Sequence, residues 1–245
     1  MGIVRLGSLY NNCGMKNKIS RDTWLKRTLG EIPKGQKILD AGAGELQYER
    51  FCEHLEYVSQ DFGQYNGKGD SRGLQKQIWD NTKLDIVSDI TNIPVPDGSF
   101  DVIMCNEVLE HIPEPTSAIR EFSRIIRRGG GLILTAPVCS LTHFAPYFFY
   151  NGYSRYFYER ILPESGFEIA ELAYNGNWFE YIAQELHRLP YMLHRYCGLS
   201  RSRLISLLIR LSLLPLFILL GKASARGTNS SELLSFGIHV RAIKL

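Results

Sequence analysis

The stretch Lys37-Ile38-Leu39-Asp40-Ala41-Gly42-Ala43-Gly44-Glu45 decides how the chain is read. Ile38-Leu39 reads as the end of a buried strand and runs straight into Asp-x-Gly-x-Gly. The next segment, 45–54, is compatible with a helix. Glycines at such a turn let the backbone approach a ligand closely and tolerate positive φ. Between a strand and a helix, the turn reads as a nucleotide-type cofactor loop at the carboxyl edge of a parallel sheet. Gly-x-Gly turns are common, so this one takes its weight from the motifs downstream of it.

Glu56 to Phe62 reads as a second strand ending in an acid, Asp61, about twenty residues past the first glycine turn. In nucleoside-binding folds an acid there accepts hydrogen bonds from ribose hydroxyls; the plain alternative is a strand-end Asp in a turn before Gly63. A short helix is expected around Leu74–Trp79 and a third strand at Leu84–Val87. The fourth, Phe100-Asp101-Val102-Ile103-Met104-Cys105, is almost continuously apolar, as a strand covered on both faces should be. A helix over Pro115–Ile126 carries Ala118, Ile119, Phe122, Ile125 and Ile126 on one face. Arg127 to Gly131 breaks it, and Leu132–Ala136 is the fifth strand. Upstream, Ser20–Ile32 has helical spacing with Ser20 or Asp22 as cap. Strands six and seven are expected at Phe167–Ala173 and Leu233–Lys244. Alternation of this kind gives an α/β, doubly wound sheet.

These motifs, taken in order, resemble class I S-adenosylmethionine-dependent methyltransferases of the type 11 branch. They are Ile38 to Gly44, Asp61, Ser88-Asp89-Ile90, Phe100 to Ile103, Glu107-Val108-Leu109-Glu110-His111-Ile112, and Arg124 to Gly130. The resemblance covers about 35–185. It implies a Rossmann-like seven-stranded sheet with an antiparallel last strand and S-adenosylmethionine across the ends of strands one, two and four. It further implies that Asp40, Gly42 and Gly44 line the methionine part and Asp61 the ribose, with Phe62 beside the adenine. Asp89 and Ile90 would meet the adenine, and Cys105, Asn106 and Glu107 the amino acid part and the reacting methyl. Leu46 stands where many members carry a third glycine. The expected domains are an arm and helix at 1–34, the core at 35–185, a helical insertion at 186–230 and the final strand at 231–245.

Charge agrees with a cationic cofactor. Of the net +3, residues 1–30 carry +5, 31–185 carry −10 and 186–245 carry +8. S-adenosylmethionine bears an ammonium and a sulfonium but no phosphate, so acids at Asp40, Glu45, Asp61, Asp89 and Glu107 suit it. A pyrophosphate-binding loop would favour Gly-x-Gly-x-x-Gly; here Gln47 takes the last position.

Methyl transfer from a sulfonium is an in-line displacement that gains from alignment, and a hydroxyl acceptor gains from a base. His111 and His143 are the candidates, His111 against the plainer role of capping or packing. The aromatic run 141–158 roofs an acceptor pocket or forms a small subcore. It is too poor in Lys and Arg for nucleic acid. Leu204–Leu220, apolar and flanked by Arg201, Arg203, Lys222 and Arg226, is too short and interrupted by Arg210 and Pro215 to span a membrane. It suits the plane of an anionic membrane surface, a dimer interface or packing on the domain. Five scattered cysteines argue against disulfides and against a zinc site, and no metal is expected. A reducing cytosol fits, with the inner membrane face as the place of any surface contact. The expectation is methyl transfer to a small or lipid-linked acceptor, first a hydroxyl of a sugar or surface-glycan intermediate. The alternatives are a quinone-type or other small molecule, or cofactor binding without turnover. The oligomeric state is not readable from the chain.

Overall fold

The computed structural model describes residues 13–198, 203–227 and 229–245. Seven strands form one sheet in the order β3-β2-β1-β4-β5-β7-β6. They are β1 (Lys37–Ala41), β2 (Glu56–Asp61), β3 (Ile86–Val87), β4 (Phe100–Asn106), β5 (Ile126–Pro137), β6 (Phe167–Asn175) and β7 (Gly237–Lys244). Pairing of β1 with β2 and β4, of β2 with β3, and of β4 with β5 is parallel. β7 runs antiparallel to β5, with Leu134 opposite Val240. This is the Rossmann-like sheet with a reversed last strand that the sequence implied. Ile38, Leu39, Ile103, Met104 and Leu134 are buried completely, which is why their strands read as unbroken apolar runs.

Helix α1 (Asn17–Gly30) buries Trp24, Leu25, Thr28 and Leu29 along one stripe. It begins before the expected cap: Ser20 lies inside it, and Asp22 pairs with Lys18 across one turn at 2.6 Å. Helix α2 (Pro115–Ile125) starts with Pro at its first turn, where the missing N–H is no loss. Helix α3 is Arg155–Glu164. Trp24, Leu25, Leu29, Ile38, Tyr48, Cys52, Val102, Met104 and Ile133 form a core cluster.

Four expectations need correction. The segment after β1 holds only a single 3-10 turn, Glu49–Phe51, in place of a helix over 45–54. Leu46 has φ +58, and a left-handed residue cannot open a right-handed helix. No helix forms around Leu74–Trp79, a stretch whose backbone is bound by another loop instead. Arg127–Gly131 does not end in coil but is the start of β5; a register shift between Phe100 and Val102 absorbs the extra residues. Leu233 closes a helical turn, α6 (Ser230–Leu233), and β7 starts only at Gly237.

The chain divides into two compact units. One holds Thr23–Ala173 and Gly237–Leu245; the other holds the described part of Met1–Asp22 together with Tyr174–Phe236. In the second unit, α4 (Trp178–Cys197) is capped by Asn177, whose side chain accepts from Glu180 N–H at 3.2 Å, and is ended by left-handed Gly198. Helix α5 (Arg203–Arg226) runs through Pro215 for 24 residues, longer than the sequence reading allowed, and is long and apolar enough to cross a membrane. Phe217 and Leu220 pack with Cys13 and Ala183, while Leu204, Leu207, Leu208, Leu211, Leu216 and Leu219 are exposed.

Loop 93–98 is fixed by one side chain. Arg124 donates to both oxygens of buried Glu121 (2.7 and 2.9 Å), to Asp97 (2.7 Å) and to the carbonyls of Val95 (2.8 Å) and Ile93 (3.0 Å). Glu121 in turn accepts from Ile93 N–H at 2.7 Å. Arg124→Ala strands a buried carboxylate, so it should lower unfolding free energy by roughly 2–4 kcal/mol in urea titrations. Arg124→Lys should recover only part of this, since an ammonium cannot fork across the carboxylate.

Candidate active site

The glycine turn sits where β1 meets the ends of β2 and β4. Gly42 and Ala43 both donate to Gln60 O, at 2.8 and 2.9 Å, which folds the turn back over β2. Gly42 has φ +80, and a Cβ there would lie 2.4 Å from Val108 Cγ2. At Gly44, φ +53, a Cβ would lie 2.4 Å from Trp79 Cζ2. Both positions therefore need glycine for backbone reasons and for space.

Asp61, at the end of β2, holds the turn in place. Its Oδ2 accepts from Gly44 N–H at 3.1 Å and its Oδ1 from Gly63 N–H at 2.9 Å. Burial raises its pKa above the ordinary carboxylate value, against the pull of those N–H groups. Asp40, one strand over and 2% exposed, accepts from Tyr57 Oη at 2.6 Å. Burial pushes its pKa up to about 7; the Tyr57 hydrogen bond opposes this and the charge of Asp61 adds to it. Two buried acids thus flank the turn.

The other residues singled out from the sequence lie around the same edge. Phe62 meets Tyr147 edge-on at 4.8 Å. Asp89 is exposed, and its Oδ1 accepts from the Thr91 N–H and hydroxyl, both at 2.8 Å; Ile90 is buried beside it. Cys105 is buried, and burial drives its thiol pKa well up. Thr135 Oγ1 lies 2.6 Å from Asn106 Oδ1 and 3.0 Å from Glu107 Oε1. Glu107 has φ +54, and Phe144 in the aromatic run has φ +53. With Leu46, these put three left-handed non-glycine residues around one sheet edge, the kind of strain that gathers at ligand sites.

The aromatic run packs against the loop 63–82, where the sequence reading placed a short helix and no part of the site. Trp79 lies 5.4 Å from both Tyr65 and Phe144, and Tyr65 lies 4.8 Å from Phe144. Leu74 N–H donates to Thr142 O (2.9 Å), Phe144 N–H to Leu74 O (3.1 Å) and Asp70 N–H to Ala145 O (3.0 Å). The only hint in the sequence was an apolar Trp within a polar, glycine-rich stretch. His111 and His143 meet under this cover with ring centroids 4.7 Å apart. Burial, with the neighbouring imidazole, pushes His111 down to about 3.

Known proteins share the fold and part of the sequence. Residues 39–134 match the family model described as "Methyltransferase domain". Over that stretch the chain is similar to class I methyltransferase domains of the type 11 branch. It is 36% identical over 63 residues to the ubiquinone biosynthesis O-methyltransferase of Xanthomonas oryzae pv. oryzae, covering 26% of each chain. It is 27% identical over 165 residues to the demethylmenaquinone methyltransferase of Paenarthrobacter aurescens, covering 65% of this chain and 58% of that one. The chain therefore spans between a quarter and three fifths of the length of these relatives. In fold it is similar to phosphoethanolamine N-methyltransferase 2 of Haemonchus contortus in complex with S-adenosyl-L-methionine. The TM-score is 0.51 at 15% identity, over 91% of this chain and 52% of that one.

Gly42→Ala should destabilise the unit that holds the sheet by about 2 kcal/mol or more, from left-handed strain plus overpacking. In the Gly42→Ala/Val108→Ala pair the contact part should be relieved and the backbone part retained. The double-mutant unfolding energy should therefore be less than additive.

Proposed function

We propose that the chain is a methyltransferase using S-adenosylmethionine, acting at a hydroxyl of a small, lipid-tailed acceptor, with a quinone-type ring as the favoured head. The observation that carries the cofactor reading is the pair of buried acids, Asp40 and Asp61, at neighbouring strand ends against a turn that admits no side chains. Carboxylates taken out of water favour a cation as partner. The cofactor supplies an electrophilic methyl on a sulfonium. Asp61 would hold the ribose and the glycine turn the methionine part, the Glu107–Thr135 contact orients the edge of β4, and Trp79 walls the turn.

The two curated relatives named above support a quinone-type head over the sugar intermediate first expected from the aromatic run. A flat ring also suits the rings of Phe144, Tyr147 and Phe148. His111, held neutral by burial, and His143 stand as the groups facing the acceptor. The reading of a lipid tail draws on α5, whose exposed leucines, with exposed Arg210, Lys222 and Arg226, suit the surface of an anionic bilayer. The expected place is the cytoplasmic face of the membrane.

Two measurements test this. Cation binding favours ionised Asp40 and Asp61, so the complex should hold fewer protons than the free protein. Affinity for S-adenosylmethionine should then rise with pH and level off above about 7, with proton release seen by calorimetry in buffers of different ionisation heat. Asp40→Asn should flatten that profile, and Asp61→Ala should weaken binding; a pH-independent affinity in the parent protein would remove the acids from the site. Separately, Leu207→Glu/Leu211→Glu should release the protein from sedimenting phosphatidylglycerol vesicles while leaving cofactor affinity unchanged.

A further inference from the structure

Beneath the aromatic cover, one ligand atom from each of Glu110, His111 and His143 lies within 4.8 Å of the others. His111 Nε2 is 3.8 Å and His143 Nε2 is 4.0 Å from the same carboxylate oxygen, Glu110 Oε1. The tautomers are set by the other ring atoms. His111 Nδ1 is 2.6 Å from Tyr147 O, and His143 Nδ1 is 2.8 Å from Leu141 O. A carbonyl oxygen only accepts, so each Nδ1 carries the hydrogen, and in the neutral ring each Nε2 turns a lone pair inward. Two imidazole nitrogens and a carboxylate oxygen thus lie within 4.8 Å of one another.

We propose that Glu110, His111 and His143 bind one divalent transition-metal cation of the class that includes Zn2+, Co2+ and Mn2+. Two histidines and one carboxylate are a ligand set such ions take, leaving further positions for water or an acceptor oxygen. The Nδ1–carbonyl contacts are the outer hydrogen bonds that fix metal-bound imidazoles in orientation and tautomer. Bonds to such a metal are about 2.0–2.2 Å long, so the three groups need to close by on the order of an ångström. His111 Nε2 is buried with no hydrogen-bond partner among the described residues. Phe144 and Phe148 ring the pair at 5.0–6.0 Å and give it an apolar shell. The cysteine spacing that argued against a metal was silent on this set, because Glu110-His111 and His143 are brought together only by the fold.

The site also has a mechanical consequence. Phe149 and Tyr150 N–H donate to Glu110 O, at 3.0 and 3.2 Å. A cation here would add a further tie between the turn after β4 and the aromatic run.

The test uses the full chain, stripped with EDTA and titrated with Zn2+ and Co2+ without cofactor or acceptor, so its result does not depend on methyl transfer. Calorimetry should give one ion per chain, and Co2+ should give visible ligand-field bands without a thiolate charge-transfer band. His143→Ala and Glu110→Gln should each weaken binding by roughly tenfold or more. His143→Ala lies in a loop and decides the matter should Glu110→Gln fail to fold. Absence of stoichiometric binding, a thiolate band from Cys139 or Cys197, or unchanged affinity in His143→Ala overturns the proposal.

Discussion

The carboxylate of Asp61 is the contact on which the sheet edge depends. It reaches from the end of β2 to the N–H of Gly44 and to that of Gly63, so one side chain closes two turns. The geometry demands that Gly44 present its N–H inward, which requires the left-handed backbone there and leaves no room for a Cβ under Trp79. Burial of an acid is costly unless its charge is met. Here the N–H donors meet part of it, and Asp40, packed against Tyr57, adds a second acid nearby. The edge therefore gathers two buried acids, each hydrogen-bonded, and that pairing supports the cationic cofactor proposed above.

Most of the sheet was legible in the chain because its strands are buried on both faces. Ile38-Leu39 and Val102 to Cys105 contain no polar break, so length and composition alone marked them. The failures have local causes. Glu45 to His54 has helical composition, but Leu46 takes the left-handed conformation, and the helix is lost. Arg127 to Gly131 looks like a breaker because of its three glycines, yet the glycines serve a register shift within β5. Residues 63–82 carry no period because their backbone partners lie some seventy residues away, as in the Leu74 and Thr142 pair.

The candidate site was legible in kind but not in arrangement. Gly42, Gly44 and Asp61 could be read from spacing, since a turn and a strand end are local objects. The roles of Trp79 and Glu110 could not, since each is defined by a distant neighbour: Gly44 for the first, His143 for the second. Glu110 is fully buried, as a packing residue would be. Its oxygen nonetheless faces both imidazoles, a relation no pattern along the chain encodes.

The backbone bonds that join Asp70 and Leu74 to 142–145 make a short ladder between the loops after β2 and β5. Two segments from opposite halves of the sheet are therefore joined by peptide hydrogen bonds. On the function proposed above, the nucleoside and the acceptor would enter past this one joint, so their traffic would be tied together before any chemistry begins.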